Sequence, residues 1–130
     1  MVDRAHFIFY VRDQDASTTF FREVLAREPT LNVPGMTEFE LGSGAVLGLM
    51  PEAGIVRLLG ASIDPARAAG VPRAELYLLV DDPAAYHARA LGAGARELSA
   101  PTERGWGHLA GYCADPDGHV IAFARESSRT

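Results

Sequence analysis

The hydrophobic pattern of this chain predicts one order of secondary structure that occurs twice. Residues 6–11 form an apolar, aromatic and β-branched run, which is typical of a central strand covered on both faces. Asp13 then stands where a helix N-cap would, and apolar residues at helical spacing predict a helix over residues 16–26. Glycine and proline divide the segment after this helix, and three short strands are predicted at residues 28–33, 36–41 and 45–50.

The same order returns about seventy residues later. Residues 75–80 are a second apolar run, Asp82 is a second N-cap, and Pro83 occupies the favoured first position of an alanine-rich helix that ends near Gly92. Further strands are predicted at residues 95–98, 106–114 and 120–124. The repeat predicts an α+β fold in which two tandem βαβββ modules form a curved mixed sheet around a concave cavity, with the helices outside.

These predictions divide one compact domain into four segments. The first module covers residues 1–52 and the second covers residues 73–126, with a short tail at residues 127–130. Residues 53–72 have weak periodicity and are interpreted as a linker with one short helical turn near residues 66–69.

The last predicted hairpin has the clearest local chemistry. Asp115-Pro116-Asp117-Gly118 separates two apolar runs: Pro116 presets one backbone angle, aspartate side chains can bind local amides, and Gly118 can adopt the left-handed conformation.

Composition narrows the function classes. The net charge is −5 and the chain has twelve arginines but no lysine, which argues against nucleic acid and favours a small neutral or cationic ligand. Because no apolar run reaches membrane-spanning length and no signal-peptide pattern is present, we expect no membrane partner and a cytoplasmic location.

The remaining reactive side chains are expected to be either buried in the core or exposed to solvent. Cys113 lies inside a predicted strand and is expected to be buried and inert, whereas His87 and His119 are expected to be solvated. Phosphate-loop, serine-hydrolase and paired-cysteine patterns are absent from the sequence. Any of four scattered arginines could meet an anion, but their spacing singles out none: Arg12, Arg57, Arg67 and Arg104.

Several of these features together resemble the vicinal oxygen chelate superfamily, which includes glyoxalase I, extradiol dioxygenases and bleomycin resistance proteins. The resemblance covers nearly the whole chain. It is carried by residues 6–11 with Asp13 and Phe20-Phe21, by Leu78-Leu79-Val80-Asp81 with Gly92-Ala93-Gly94, and above all by Asp115-Pro116-Asp117-Gly118.

The resemblance also implies where a metal would be held. Metal-dependent members place ligands on the first and last strands of each module, and the matching positions here are His6, Gly48, Glu75 and Ala122. Glycine and alanine have no donor atom, so we expect no metal cofactor. A fallback set of His6, Glu75 and His108 is available if the strand of residues 106–114 points His108, Ala110 and Tyr112 inward.

By parity, His6 and Glu75 are expected to share one cavity, either as a hydrogen-bonded pair that orders the sheet or as ligand contacts. Aromatic residues are expected to line its wall, with Trp106 between two glycines placed to stack on a flat ligand. The full set of expected ligand-binding residues is His6, Tyr10, Phe39, Gly48, Glu75, Tyr77, Trp106, His108, Tyr112 and Ala122.

The function implied is that of the bleomycin-resistance-like branch: a homodimer that sequesters an aromatic or hydrophobic small molecule such as an antibiotic. No catalytic residue is assigned. Two alternatives stay open, a divalent-metal lyase, isomerase or dioxygenase using His6 and Glu75, and an interaction module with a degenerate pocket.

Overall fold

The computed structural model describes residues 1–68 and 70–127 and has two compact units, Met1–Ala69 and Gly70–Thr130, here called the first and second modules. The predicted βαβββ order is confirmed in both. The first module contains β1 (Ala5–Val11), α1 (Gln14–Leu25), β2 (Leu31–Val33), β3 (Met36–Gly42), β4 (Ala45–Pro51) and α2 (Glu52–Leu59). The second contains β5 (Glu75–Leu79), α3 (Pro83–Gly92), β6 (Arg96–Glu103), β7 (His108–Ala114) and β8 (Val120–Glu126).

The strands pair in two four-stranded mixed sheets, one in each module. In the first sheet the order is β1-β4-β3-β2, with β1 parallel to β4 and the other pairs antiparallel. The expectation that β1 is central and covered on both faces is therefore wrong. Among the described strands β1 pairs with β4 alone, and Phe7 and Ile8 are 51% and 42% exposed.

The core of the first module lies between α1 and one face of its sheet. Asp13 caps α1 as predicted, because its Oδ1 accepts a hydrogen bond of 3.0 Å from the amide of Ala16. The rings of Phe9 and Phe21 meet with centroids 6.2 Å apart. Fully or almost fully buried side chains fill the same layer: Val11, Phe20, Val24, Phe39, Leu47 and Leu49.

The segment after β4 is more ordered than the sequence indicated. α2 begins at Glu52 and is followed by two short 3-10 helices, Ala61–Ile63 and Pro65–Ala68. The linker prediction is thus wrong for residues 53–59, where Ile55 is buried and Leu58 and Leu59 are exposed. Residue 69 of the predicted turn and residues 128–130 of the predicted tail lie outside the described residues.

In the second module the sheet order is β5-β8-β7-β6, with β5 parallel to β8. Asp82 caps α3 through a 3.2 Å bond from the amide of Ala85, as predicted. α3 covers one face of the sheet, and the ring of Tyr86 lies 5.5 Å from that of Phe123 on β8. β6 is twice as long as predicted and irregular, with register shifts on either side of Ser99.

The Asp115-Pro116-Asp117-Gly118 turn joins β7 to β8 as predicted. Asp115 is buried, and its Oδ1 accepts hydrogen bonds of 2.9 Å and 2.8 Å from the amides of Asp117 and His119. Gly118 has a φ of 93°, which favours a residue without a Cβ. Throughout residues 1–68 and 70–127, no helix combines the length and apolarity needed to cross a bilayer.

Candidate functional site

Each sheet turns one face to its helix and the other away from it. In the first module, Phe9 and Val11 face α1, so His6, Ile8 and Tyr10 point to the opposite side because side chains alternate along a strand. In the second, Phe123 faces α3, so Ala122 and Ala124 point away. The face away from the helix is here called the open face of each module.

His6 has an acidic neighbour on the open face of the first module. Its Nδ1 lies 3.5 Å from Oε2 of Glu38, and both side chains are partly exposed. Glu38 lies on β3 directly across from Gly48, and Gly48 lies directly across from Ile8 on β1. A carboxylate is therefore present near His6, on the strand next to the one where the family resemblance implied it.

Gly48 is a packing position. A Cβ built there would approach Cγ1 of Ile8 to 3.2 Å and Sδ of Met36 to 3.3 Å. The side chains of Ile8 and Met36 thus fill the space in which a longer residue at position 48 would lie.

Phe39 does not belong to the open face. It is 0% exposed and pairs directly with Leu47 in the α1-facing layer. The neighbouring Thr37 confirms this orientation, because its Oγ1 lies 2.8 Å from Oγ1 of Thr18 on α1. The expectation that Phe39 lines the ligand cavity is wrong. Phe39 lies in the hydrophobic core, where its ring has no access to solvent.

The open face of the second module brings together most of the expected residues. Tyr77, Ala122 and Tyr112 stand directly opposite one another on β5, β8 and β7. His108 is on the same face, because it is four residues before Tyr112 on β7. His108, Ala110 and Tyr112 therefore lie on one face of β7, as the fallback ligand set required. Glu75 is two residues before Tyr77 on this face and is exposed.

The side chains of Trp106, Tyr77 and His108 form a hydrogen-bonded chain. Oη of Tyr77 lies 2.6 Å from Nδ1 of His108, and Nε1 of Trp106 donates to the same oxygen at 3.0 Å. The rings of Tyr77 and His108 are stacked, with centroids 5.7 Å apart and 27° between planes. Trp106 stands in the turn between β6 and β7 and is 58% exposed, so its indole edge is anchored while much of the ring meets solvent.

Arg104 supports Tyr112. Its guanidinium Nε and Nη2 donate to the carbonyl of Ala110 at 3.1 Å and 2.8 Å, and Nη2 also donates to Oγ of Ser99 at 2.8 Å. These bonds span the irregular part of β6, and the guanidinium carbon lies 5.2 Å from the centre of the Tyr112 ring. Burial raises the pKa of Tyr112, and Glu75 and Tyr77 raise it further, while Arg104 opposes them.

Three other titratable residues contribute to the structure of the second module. Cys113 is buried as predicted, and burial, with a smaller contribution from Asp115, raises the pKa of its thiol to about 11. The expectation that His87 and His119 are solvated is wrong for His87, which is buried, whereas His119 is partly exposed. His87 is 4% exposed with Nε2 2.8 Å from Oε2 of Glu97, and Nδ1 of His119 lies 2.8 Å from Oδ2 of Asp115.

The Asp115, Asp117 and His119 side chains bring donor atoms within 4.8 Å of one another. Both carboxylate oxygens of Asp115 already hold the turn, one through two amides and the other through His119. We therefore assign this cluster to the structure of the hairpin.

A cavity of about 540 Å³ opens at the N-terminus of α1, away from the expected ligand-binding residues. Gln14 is fixed inside it, because its amide donates to the carbonyl of Val33 and accepts from the amide of Gly35. The lining residues are Arg12, Asp13, Gln14, Asp15, Asn32, Val33 and Pro34.

Nine of the ten expected residues thus lie on an open face or beside it. His6, Tyr10 and Gly48 belong to the first module, and Glu75, Tyr77, Trp106, His108, Tyr112 and Ala122 belong to the second. The shared cavity for His6 and Glu75, and the three-ligand set that adds His108, remain predictions because these residues are divided between the modules. Sequence reasoning missed Glu38 and left Arg104 undistinguished from other arginines.

The sequence and the fold match a known family. Residues 4–123 match the model of the Glyoxalase/Bleomycin resistance protein/Dioxygenase superfamily, and the chain belongs to this family. Among curated proteins, no sequence matches this chain significantly.

Solved structures show the same fold. A glyoxalase-related enzyme from Fulvimarina pelagi is 25% identical, with a TM-score of 0.80 over 94% of this chain and 86% of that one. A glyoxalase/bleomycin resistance protein/dioxygenase family enzyme from Burkholderia phytofirmans PsJN is 17% identical, with a TM-score of 0.81 over 96% and 99%. TnmS3, an antibiotic binding protein from Streptomyces sp. CB03234, is 23% identical, with a TM-score of 0.72 over 98% of each chain.

Proposed function

We propose that this protein binds a small aromatic or hydrophobic molecule on the open face of the second module. The observation that carries the proposal is the row of Tyr77, Ala122 and Tyr112, with Trp106 hydrogen-bonded to Tyr77 at its edge. Aromatic side chains supply large contact areas at low entropic cost, and Tyr77, Tyr112 and Trp106 all keep part of their surface exposed. That TnmS3, with the same fold, is an antibiotic binding protein is consistent with this class of ligand.

The donor atoms present favour binding over metal-dependent catalysis. Of the four positions that correspond to metal ligands in the family, Gly48 and Ala122 offer no side-chain donor. Gly48 is moreover closed over by Ile8 and Met36, and Ala122 is 0% exposed. The residues at these positions therefore do not fit a metal held in the manner of the family's enzymes.

Isothermal titration calorimetry with a panel of flat aromatic compounds and glycopeptide antibiotics tests the proposal. We expect saturable binding that Trp106→Ala weakens by roughly 10- to 100-fold, because aromatic anchors at binding sites commonly contribute about 1.5–3 kcal/mol. Val71→Ala is the matched control, since Val71 is also exposed (67%) but precedes the sheet. Its affinity should equal that of the wild type.

Two results would overturn the proposal. One is the absence of binding across the whole panel by protein whose thermal unfolding confirms that it is folded. The other is stoichiometric Mn, Fe, Ni or Zn in protein purified without chelator, lost in a His6→Ala variant, which would favour the enzyme alternative.

A further inference from the structure

Trp106 combines exposure with a fixed orientation. An indole has a single hydrogen-bond donor, and here Nε1 gives it to Oη of Tyr77 at 3.0 Å. Gly107 behind it has a φ of 90°, and its carbonyl accepts a 2.9 Å bond from the amide of Ser127. These two bonds fix the indole edge and the turn that carries it. The exposed ring can therefore bind a ligand without the entropic cost of ordering a free side chain.

The Tyr77 hydroxyl has one hydrogen to donate. Since its oxygen accepts from Trp106, the arrangement that satisfies every group has the hydroxyl donating to Nδ1 of His108, 2.6 Å away. Among residues 1–68 and 70–127, the hydrogen-bond partners of this hydroxyl are His108 and Trp106. Nδ1 is then unprotonated, and the neutral imidazole carries its hydrogen on Nε2.

Nε2 of His108 is left available. It has no hydrogen-bond partner among the described residues, and it is not among their buried unpartnered atoms, so it faces solvent. The ring cannot turn freely, because it stacks on Tyr77 and its Nδ1 is hydrogen-bonded to the hydroxyl of that residue. A donor N–H therefore belongs to the same hydrogen-bonded chain as the anchored indole.

We propose, resting on the proposed function, that His108 donates a hydrogen bond from Nε2 to the ligand and that Tyr77 is the positioning residue that fixes this tautomer. The ligand class is then a planar aromatic molecule with a neutral hydrogen-bond acceptor, a ring nitrogen or a carbonyl, in or beside the ring. The Trp106 plane binds the ring and His108 selects the acceptor.

Quinoline and naphthalene are suitable probes because they differ in one ring atom, a nitrogen acceptor in place of C–H. We expect the ratio of the naphthalene Kd to the quinoline Kd to fall about 3- to 10-fold in His108→Phe, as one hydrogen bond contributes about 0.5–1.5 kcal/mol. His108→Gln keeps an N–H donor and should retain the ratio. Tyr86→Phe, which removes a hydroxyl on the α3 side of the sheet, should leave it unchanged.

The ¹⁵N chemical shifts of the His108 ring provide a second readout that needs no ligand. At neutral pH we expect Nδ1 unprotonated and Nε2 protonated in the wild type and in Tyr86→Phe, and a mixture of tautomers in Tyr77→Phe. A purely structural role for Tyr77 would not shift this equilibrium.

The inference is wrong if Nδ1 carries the proton in the wild type, or if His108→Phe leaves the ratio of dissociation constants unchanged while both probes bind. Neither result contradicts the proposed function, because the ligand panel tests aromatic binding separately. If neither probe binds the folded protein, the ligand class is wrong, and the wider panel then decides whether the proposed function fails with it.

Discussion

Nε2 of His87 on α3 lies 2.8 Å from Oε2 of Glu97 on β6, while Nδ1 of the same ring faces the backbone of β7 at Gly111. The imidazole is thus enclosed on the helix-covered side of the second sheet, and it joins α3 to two strands. This contact makes the size of residue 111 critical.

Gly111→Ala should destabilise the second module by about 1–3 kcal/mol, the usual cost of overpacking a core. A Cβ at this position would come within 2.8 Å of Cγ of Pro101 and 2.9 Å of Nδ1 of His87. Chemical denaturation measures the change in the free energy of unfolding. Gly92→Ala is the control, because a Cβ there meets no atom within 4 Å and alanine favours the helix. Equal stability of both variants would contradict the packing argument.

Two adjacent residues on α1 should respond to alanine in opposite directions. Oγ of Ser17 is buried without a partner among the described residues, so Ser17→Ala should stabilise the protein by about 1 kcal/mol. Oγ1 of Thr18 is buried at 2.8 Å from Oγ1 of Thr37, so Thr18→Ala should destabilise it by about 1–2 kcal/mol. Thermal or urea unfolding distinguishes these outcomes, and a destabilised Ser17→Ala variant would mean that its hydroxyl has a partner.

The Cys113 thiol should make stability fall at alkaline pH. Its folded-state pKa of about 11 lies above the ordinary value of 9.0, so the folded state holds this proton more tightly than the unfolded chain does. The resulting stability is complete below about pH 9 and is lost as the pH rises through about 11.

By pH 10.5 the loss from this group should approach roughly 2 kcal/mol. The measurement is the difference in the free energy of unfolding between wild type and Cys113→Ala from pH 7.5 to 10.5. That comparison removes the contribution of Tyr112, whose raised pKa acts in the same direction in both proteins. A constant difference across this range would show that Cys113 ionises normally.

Asp115 should be the most sensitive residue of the β7–β8 turn. Asp115→Ala leaves the amides of Asp117 and His119 without their acceptor, and we expect a loss of about 2–4 kcal/mol from two broken hydrogen bonds to a buried charged group. Asp115→Asn retains an acceptor oxygen for both amides and should lose less. Equal instability of the two variants would contradict this prediction. It would mean that the charge of the carboxylate and its contact with His119 contribute more to stability than the two amide bonds.

Local chemistry made much of the fold predictable. The caps Asp13 and Asp82 and the Asp115–Gly118 turn act through atoms only two to four residues away, so their sequence patterns suffice. α2 was missed because its eight residues include Gly54 and follow Pro51, both of which favour a loop.

The open faces were only partly predictable. Strand parity placed Tyr77, His108 and Tyr112 correctly on one face. Phe39 was included for its aromatic ring alone, and its neighbour Glu38 holds the open position. The contact of Glu38 with His6 depends on the register of distant strands, which local spacing does not fix.

Arg104 illustrates the same limit. Its partners, Ser99 and the carbonyl of Ala110, become neighbours through the register shifts of β6. Such irregularities have weak sequence signatures, so the arginine could not be distinguished from the eleven others in the chain.

The anchored indole has a practical consequence for spectroscopy. Trp106 is the sole tryptophan of the 130 residues, so selectively excited emission from this chain originates at one place, the turn between β6 and β7. Because the fluorophore is half solvated and bonded to a phenol oxygen, its emission wavelength and lifetime should report occupancy of the second module's open face without any added label.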